Sequence, residues 1–469
     1  MAEEYKKRRE EIQRLVTDFE LKLKDELDFY YDSETYEKII KWYIDNHKFK
    51  FGLKAVNVAL SQHKFSSDLL IQKANIQIAL QNFTESLNSL EKAHSLNPKD
   101  ENIFILMGQV KIILGDAYGS IKILKKALDI SENKDEIYYQ IGLAFQSQKK
   151  FNKASKYYKK TIECNLTHEN ALYDLAYCLE TLGELENSIS YYKKFIDEDP
   201  YSEFAWFNIG NIYFKLNQYD KAVDAFELAI AIDEEYSIAY IKLSQALIKL
   251  KKYEKAKKYL DNCMKIDGPS PEIYSDLGNV LYLLQDYSTS IKYYQKSIKI
   301  DQSFKESYFG LGRSLSKLDK WFEAIHFFKK AYKLDSNNFE YIKSLAYAEF
   351  KVGNLVSSID LYNKALNLKP DDLELSLEFS QIFYESGEIE KAIQIIYDCI
   401  EELPGESLLY YRLVIYLMDA GKYKESINVL ENALSLNFEN HEVLFDFLPN
   451  YESHSSLIRI INQFKKNNS

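Results

Sequence analysis

Histidine and cysteine are the residues most able to do chemistry at neutral pH, as bases, nucleophiles or metal ligands. The seven histidines, His47, His63, His94, His168, His326, His441 and His454, are scattered without metal-ligand spacing. Cys164, Cys178, Cys263 and Cys399 form no C-x-x-C pair. The chain contains no H-E-x-x-H, G-x-S-x-G, P-loop or G-x-G-x-x-G. Gly310, Leu311 and Gly312 make a lone G-x-G inside a helical pattern, which reads as packing. Glu136, Glu272, Glu306, Glu340 and Glu374 stand in the first turns of expected helices, where the macrodipole favours negative charge. No catalytic centre, metal site or cofactor site can be built from these residues. The chain reads as non-catalytic.

What the sequence does repeat is larger than any motif. Glu203 to Tyr236 reads as two amphipathic helices joined by a tight turn at Asn217 and Gln218. Trp206, Ile209, Gly210 and Tyr213 space as W-x2-I-G-x2-Y, and Ala222 and Phe226 as A-x3-F. Stepping by 34 residues gives twelve gapless registers, from Ser33 to Asn440. The twentieth place is small in all twelve, as in Ser86, Ala222 and Ser290. The eighth is small in ten, with Ile40 and Val414 as exceptions in the first and last registers. The seventeenth and twenty-fourth are mostly large, as in Tyr219, Trp321, Phe226 and Phe328. Small slots facing large ones allow close helix crossings at interior density. Gly115, Gly183, Gly353, Gly387 and Gly421 share the fifteenth place, just past a helix end. Pro98, Pro200, Pro370 and Pro404 share the thirty-second, where the second helix stops.

On these residues the chain resembles the tetratricopeptide-repeat (TPR) family over residues 33–440. The resemblance implies an all-α fold, a right-handed superhelical solenoid of stacked antiparallel helix pairs. It also implies that places two, five, nine, twelve and thirteen of each first helix line a concave groove. The fifth place then offers Tyr139, Tyr173, Phe207, Ile241 and Phe309, and the ninth Tyr177, Asn211, Gln245 and Asn279. The twelfth offers Phe214 and Tyr282, and the thirteenth Lys215, Lys249, Lys317 and Lys351. Amides pair with a peptide backbone as donor and acceptor, and aromatic rings are common anchors. The expectation is a groove holding a partner protein segment, with an aromatic and aliphatic floor and a lysine edge. The family's clamp for a chaperone's terminal carboxylate needs Lys at the fifth place with Asn at the ninth, and no repeat here has both. Lys343 stands with Tyr347 instead.

Residues 1–32 lack the repeat. Ile12, Val16, Phe19, Leu23, Leu27 and Tyr30 form one helical stripe opposite a charged face. It reads as a cap over the first repeat, or alternatively as a docking or self-association helix. Residues 441–469 read as a truncated repeat. Its first helix is expected from His441 to Leu448, ending near Pro449, before a capping helix with Leu457, Ile460 and Phe464 inward. Net charge of −11 argues against nucleic acid as partner. No apolar run approaches the roughly 18 residues of a membrane span, and no signal peptide is expected. Cys263 and Cys399 occupy a slot usually filled by alanine, as buried free thiols of a reducing, cytoplasmic setting. The favoured reading is a non-catalytic scaffold or adaptor that binds a protein segment in its groove. The alternative is a structural or regulatory subunit assembling through its convex face or terminal helices.

Overall fold

A computed structural model describes residues 2–25, 28–444 and 455–467. Among these residues there are helices and no strands, and the helices are antiparallel pairs stacked in chain order, the all-α solenoid expected. The first helices of the pairs begin at Ser33, Ser67, Glu101, Asp135, Glu169, Glu203, Ser237, Pro271, Lys305, Phe339, Leu373 and Ser407. Most of these starts are set by a cap. The side chains of Asp32, Ser66, Asp100, Ser202, Ser270, Asn338 and Asp372 accept from N–H groups of the first turn. The chain falls into two compact units, Met1–Ala239 and Tyr240–Ser469.

The turn between the helices of a pair is the most uniform feature. The fifteenth place has positive φ in every repeat, not only in the five that carry glycine. His47, Gln81, Lys149, Asn217, Lys251, Gln285 and Asp319 adopt φ of +55° to +63°. The amide that follows the left-handed residue closes the turn: Asn82 donates to the Gln77 carbonyl and Gln218 to the Tyr213 carbonyl, both at 2.8 Å. These reversals need the left-handed residue, and so the conformation persists where the side chain disfavours it.

The small and large slots face each other within a pair. A Cβ at Gly210 would sit 2.6 Å from the Phe226 ring, and one at Gly142 would sit within 2.4 Å of Tyr158. Smallness alone does not explain the serines of the twentieth place. Ser86, Ser290 and Ser358 donate to the carbonyls of Ala74, Gly278 and Ala346 at 3.0, 2.7 and 2.9 Å. Each of those carbonyls is the eighth place of its own repeat, so the hydroxyl ties the two helices at their closest approach.

In the Met1–Ala239 unit, helix Ala2–Lys24 lies against the first pair. Val16 and Phe19 are buried, and Phe19 meets Tyr36 edge-on at 6.2 Å. The expected stripe stops there. Leu23, in the last turn of the helix, and Tyr30, beyond its end, are exposed, and Leu27 lies outside the described residues. In the Tyr240–Ser469 unit, helix Ser455–Asn467 buries Leu457 and Ile461, with Ile460 and Phe464 half-buried against the same core. The helix expected from His441 to Leu448 is entered through a 3-10 turn, Phe438–Glu442, in which the Asn437 side chain accepts from the Glu439 amide; Val443 and Leu444 are helical, and residues 445–448 lie outside the described residues. Pro449 lies outside the described residues. Cys263 is buried and Cys399 half-buried, and neither is in a disulfide.

Candidate protein-binding site

The fifth-place rings divide into two kinds. Tyr139, Phe207 and Phe309 lie over the twenty-fourth-place rings of their own repeats, Tyr158, Phe226 and Phe328, each at 5.8 Å between centroids. They also reach forward along the chain. The Tyr139 hydroxyl donates to Asp174 at 2.9 Å, Phe207 meets Tyr236 at 5.2 Å and Phe309 meets Tyr341 at 4.7 Å. These three are half-buried and serve the stack rather than forming an open floor. The physical reason is the eighth-place glycine. It draws the large ring under the first helix, and the fifth-place ring closes over it. Tyr173 and Tyr177 are different, being 59% and 47% exposed.

Four of the expected groove residues meet in one cleft of the Met1–Ala239 unit. Tyr173, Tyr177, Asn211 and Lys215 line it together with Tyr192 and Asn208, around about 240 Å³. The Asn208 amide donates to its own helix at Phe204, 2.8 Å away. Asn211 makes no intramolecular side-chain hydrogen bond among the described residues. It lines the cleft with the exposed Tyr173 and Tyr177, with an amide donor and acceptor available. Lys215 pairs with Glu180 at 2.5 Å at the rim. Phe214 packs edge-on against Tyr219 at 5.4 Å. Nearby, burial holds Asp174 above the usual carboxylate range, against the hydrogen bonds from Tyr139 and Gln146 that oppose it.

Helix Ser237–Lys249 carries Ile241 and Gln245, both half-buried, and Lys249, which is exposed. Gln245 accepts from Lys242 at 3.4 Å. In the Tyr240–Ser469 unit, Asn279 is half-buried. Tyr282 and Lys317 line a cleft of about 430 Å³ with Arg313, Trp321, Lys343 and Tyr347. A smaller one of about 230 Å³ shares Tyr347 and Glu378 with it and adds Phe350, Lys351 and Gln381. Arg313 is the residue that sequence reasoning missed. It stands at the ninth place, in register with Asn211 and Asn279, but its guanidinium lies 4.2 Å over Tyr282 of the preceding repeat. Asp276, also unforeseen, has no ion pair or hydrogen-bonded partner among the described residues, and burial pushes it up to about 6, opposed by Lys242. In the last pair the groove slots Tyr411, Ile415 and Met418 are buried and do not reach the surface.

Among the described residues no cluster of His, Cys, Asp and Glu is arranged to hold a metal, and no helix is long and apolar enough to cross a membrane.

Comparison with known proteins bears on what this surface belongs to. Profiles of the Tetratricopeptide repeat family match residues 67–100, 139–203, 204–236, 238–269, 271–304 and 408–440. No curated protein matches the chain. Among solved structures, YrrB, described as a TPR protein with an unusual peptide-binding site, is 19% identical. The match covers 40% of this chain and 97% of that one, with a TM-score of 0.33. The MamA protein is 18% identical over 36% of this chain and 92% of its own, at 0.32. The APC/C hetero-tetramer Cut9–Hcn1 matches 93% of this chain and 94% of that one, at 12% identity and 0.40. With the repeat profile matched along the chain and the helix pairs starting in one unbroken 34-residue register, the chain belongs to the tetratricopeptide-repeat family, whose stacked helix pairs build scaffolds for protein interaction.

Proposed function

We propose that the chain is a scaffold that holds a segment of a partner protein in the groove lined by its first helices. The observation that carries this reading is the cleft of Tyr173, Tyr177, Asn211 and Lys215. Large phenol rings left in solvent are anchors waiting for apolar side chains, and an unpaired amide beside them can bond a peptide group in both directions. The test is selection of short random peptides displayed on phage against the full chain. Peptides recovered by the wild type should bind at least about tenfold more weakly to Tyr177→Ala/Asn211→Ala, the loss of one aromatic anchor and one paired amide. Equal binding to both chains rejects the groove.

A second reading has its own observation. Phe322 and Val356, at the eighteenth place of successive repeats, are 79% and 78% exposed. Val356 borders a cleft of about 940 Å³ lined by Tyr332, Leu345, Leu355 and Leu361. Apolar residues exposed in register on second helices suit assembly into a larger complex. Phe322→Ser/Val356→Ser should abolish such assembly and leave peptide selection unchanged.

A further inference from the structure

The first-helix face of the Tyr240–Ser469 unit carries cations without carboxylate partners. Arg313, Lys317 and Lys351 make no ion pair among the described residues. Lys343 on the same face is already matched, by Glu374 at 2.6 Å and Glu378 at 3.5 Å. In the other unit the corresponding Lys215 is matched by Glu180. In a chain whose net charge is −11, three cations without ion-pair partners around aromatic-walled clefts leave positive charge available to a ligand.

The cations are also oriented. The Arg313 guanidinium lies 4.2 Å from the Tyr282 centroid and 5.7 Å from that of Phe309. Ring stacking holds its plane and leaves its N–H edge for an acceptor. Lys317 follows one helical turn later. Lys351 lies 5.1 Å over Tyr347 and 5.8 Å from Phe350. Tyr347 and Glu378 border both clefts, so the cations flank one continuous lining. The carboxylates that could compete are few. Glu378 faces Lys343, Glu385 accepts from Gln381, and Asp319 sits at the rim on the left-handed turn residue.

We propose that this face selects an acidic segment of a partner protein. An Asp or Glu carboxylate takes the guanidinium edge of Arg313, which suits it because the planar fork can bond both oxygens. A second acidic side chain lies within the field of Lys317 or Lys351. Apolar side chains of the same segment fill the space between Tyr282, Trp321 and Tyr347. An exposed ion pair alone contributes little, so the aromatic walls that exclude water are part of the recognition. This inference rests on the groove reading and adds the chemistry of what the groove takes.

The experiment extends the peptide selection on the full chain. Selected peptides should carry Asp or Glu beside apolar residues. A selected peptide resynthesised with Gln for Glu should bind about tenfold more weakly, one unit of the affinity scale. Arg313→Gln/Lys351→Gln should bind the Glu and Gln peptides equally while keeping the wild-type helical spectrum. Wild-type binding that does not distinguish Glu from Gln overturns the proposal. Selection of uncharged apolar peptides whose binding is lost in Tyr177→Ala also overturns it, yet leaves the groove reading standing. Recovery of no peptide at all overturns both.

Discussion

Gly210→Ala is the most direct probe of how a pair is locked together. The new Cβ would lie 2.6 Å from two carbons of the Phe226 ring and 3.1 Å from a third. Carbon contacts settle at about 3.5–4.0 Å, so the ring must retreat by roughly 1 Å. Phe226 is fully buried and already meets Phe207 at 5.8 Å, so it has little room to do so. Overpacking of this kind costs about 1–3 kcal/mol. Replacing glycine in a helix interior returns about 1 kcal/mol. The expected net loss is about 1 kcal/mol. Phe226→Leu alone leaves space beside Gly210 and costs about 1–2 kcal/mol. Combined, the alanine methyl occupies that space, so the double variant should fall short of the sum by about 1–2 kcal/mol, a coupling expected of residues in contact. A solenoid melts by regions rather than as one unit, so local stability is the right observable. Hydrogen exchange read by mass spectrometry on Glu203–Lys215 and Tyr219–Ile232 reports it. Additivity within about 0.5 kcal/mol, or a simple gain in Gly210→Ala, would refute the steric lock.

The turn residues make a second prediction. Gln285→Gly and Lys251→Gly should each raise local stability by about 0.5–1 kcal/mol, the left-handed penalty less glycine's greater freedom when unfolded. Gly353→Ala should lower it by about 1 kcal/mol, and since nothing lies within 4 Å of that position the loss is one of backbone conformation alone. Signs reversed in urea titration would contradict the turn assignment. A third prediction concerns pH. Burial raises Asp276 to about 6, so the folded chain holds this proton more tightly than the unfolded chain. Its contribution to stability is full below the unfolded value near 4 and is lost as pH rises through about 6. Asp276→Asn should therefore be the more stable chain at neutral pH, by on the order of 2 kcal/mol, and should lack that slope. Parallel stability curves for the two chains between pH 4 and pH 7 would exclude it.

The period was legible because side-chain size at a helix crossing is a local requirement repeated in every copy. Ala222, Ser290 and Gly210 could be assigned to contacts from spacing alone, as could the helix starts at Glu203 and Tyr219. Spacing could not show that Ser290 ties its helix to the Gly278 carbonyl, because a hydroxyl and a methyl look alike as small slots. Nor could five glycines reveal that twelve residues share one backbone conformation, since Gln285 and Lys251 adopt it against their preference. The candidate groove was half legible. Tyr173, Tyr177, Asn211 and Lys215 were expected together and line one cleft. Tyr139, Phe207 and Phe309, from the same register, are closed into the stack.

The sequence by itself determined the fold class and the face on which each residue lies, because helical period and crossing sterics are written in consecutive residues. Tertiary structure decided which of those residues are open. Exposure depends on how closely one repeat's rings approach the next, a distance of a few ångströms between residues about 30 apart that no spacing rule contains. Arg313 lies over Tyr282 of the preceding repeat, and Tyr341 lies against Phe309 of the repeat before it. One contact leaves a charge at the surface and the other removes a ring from it.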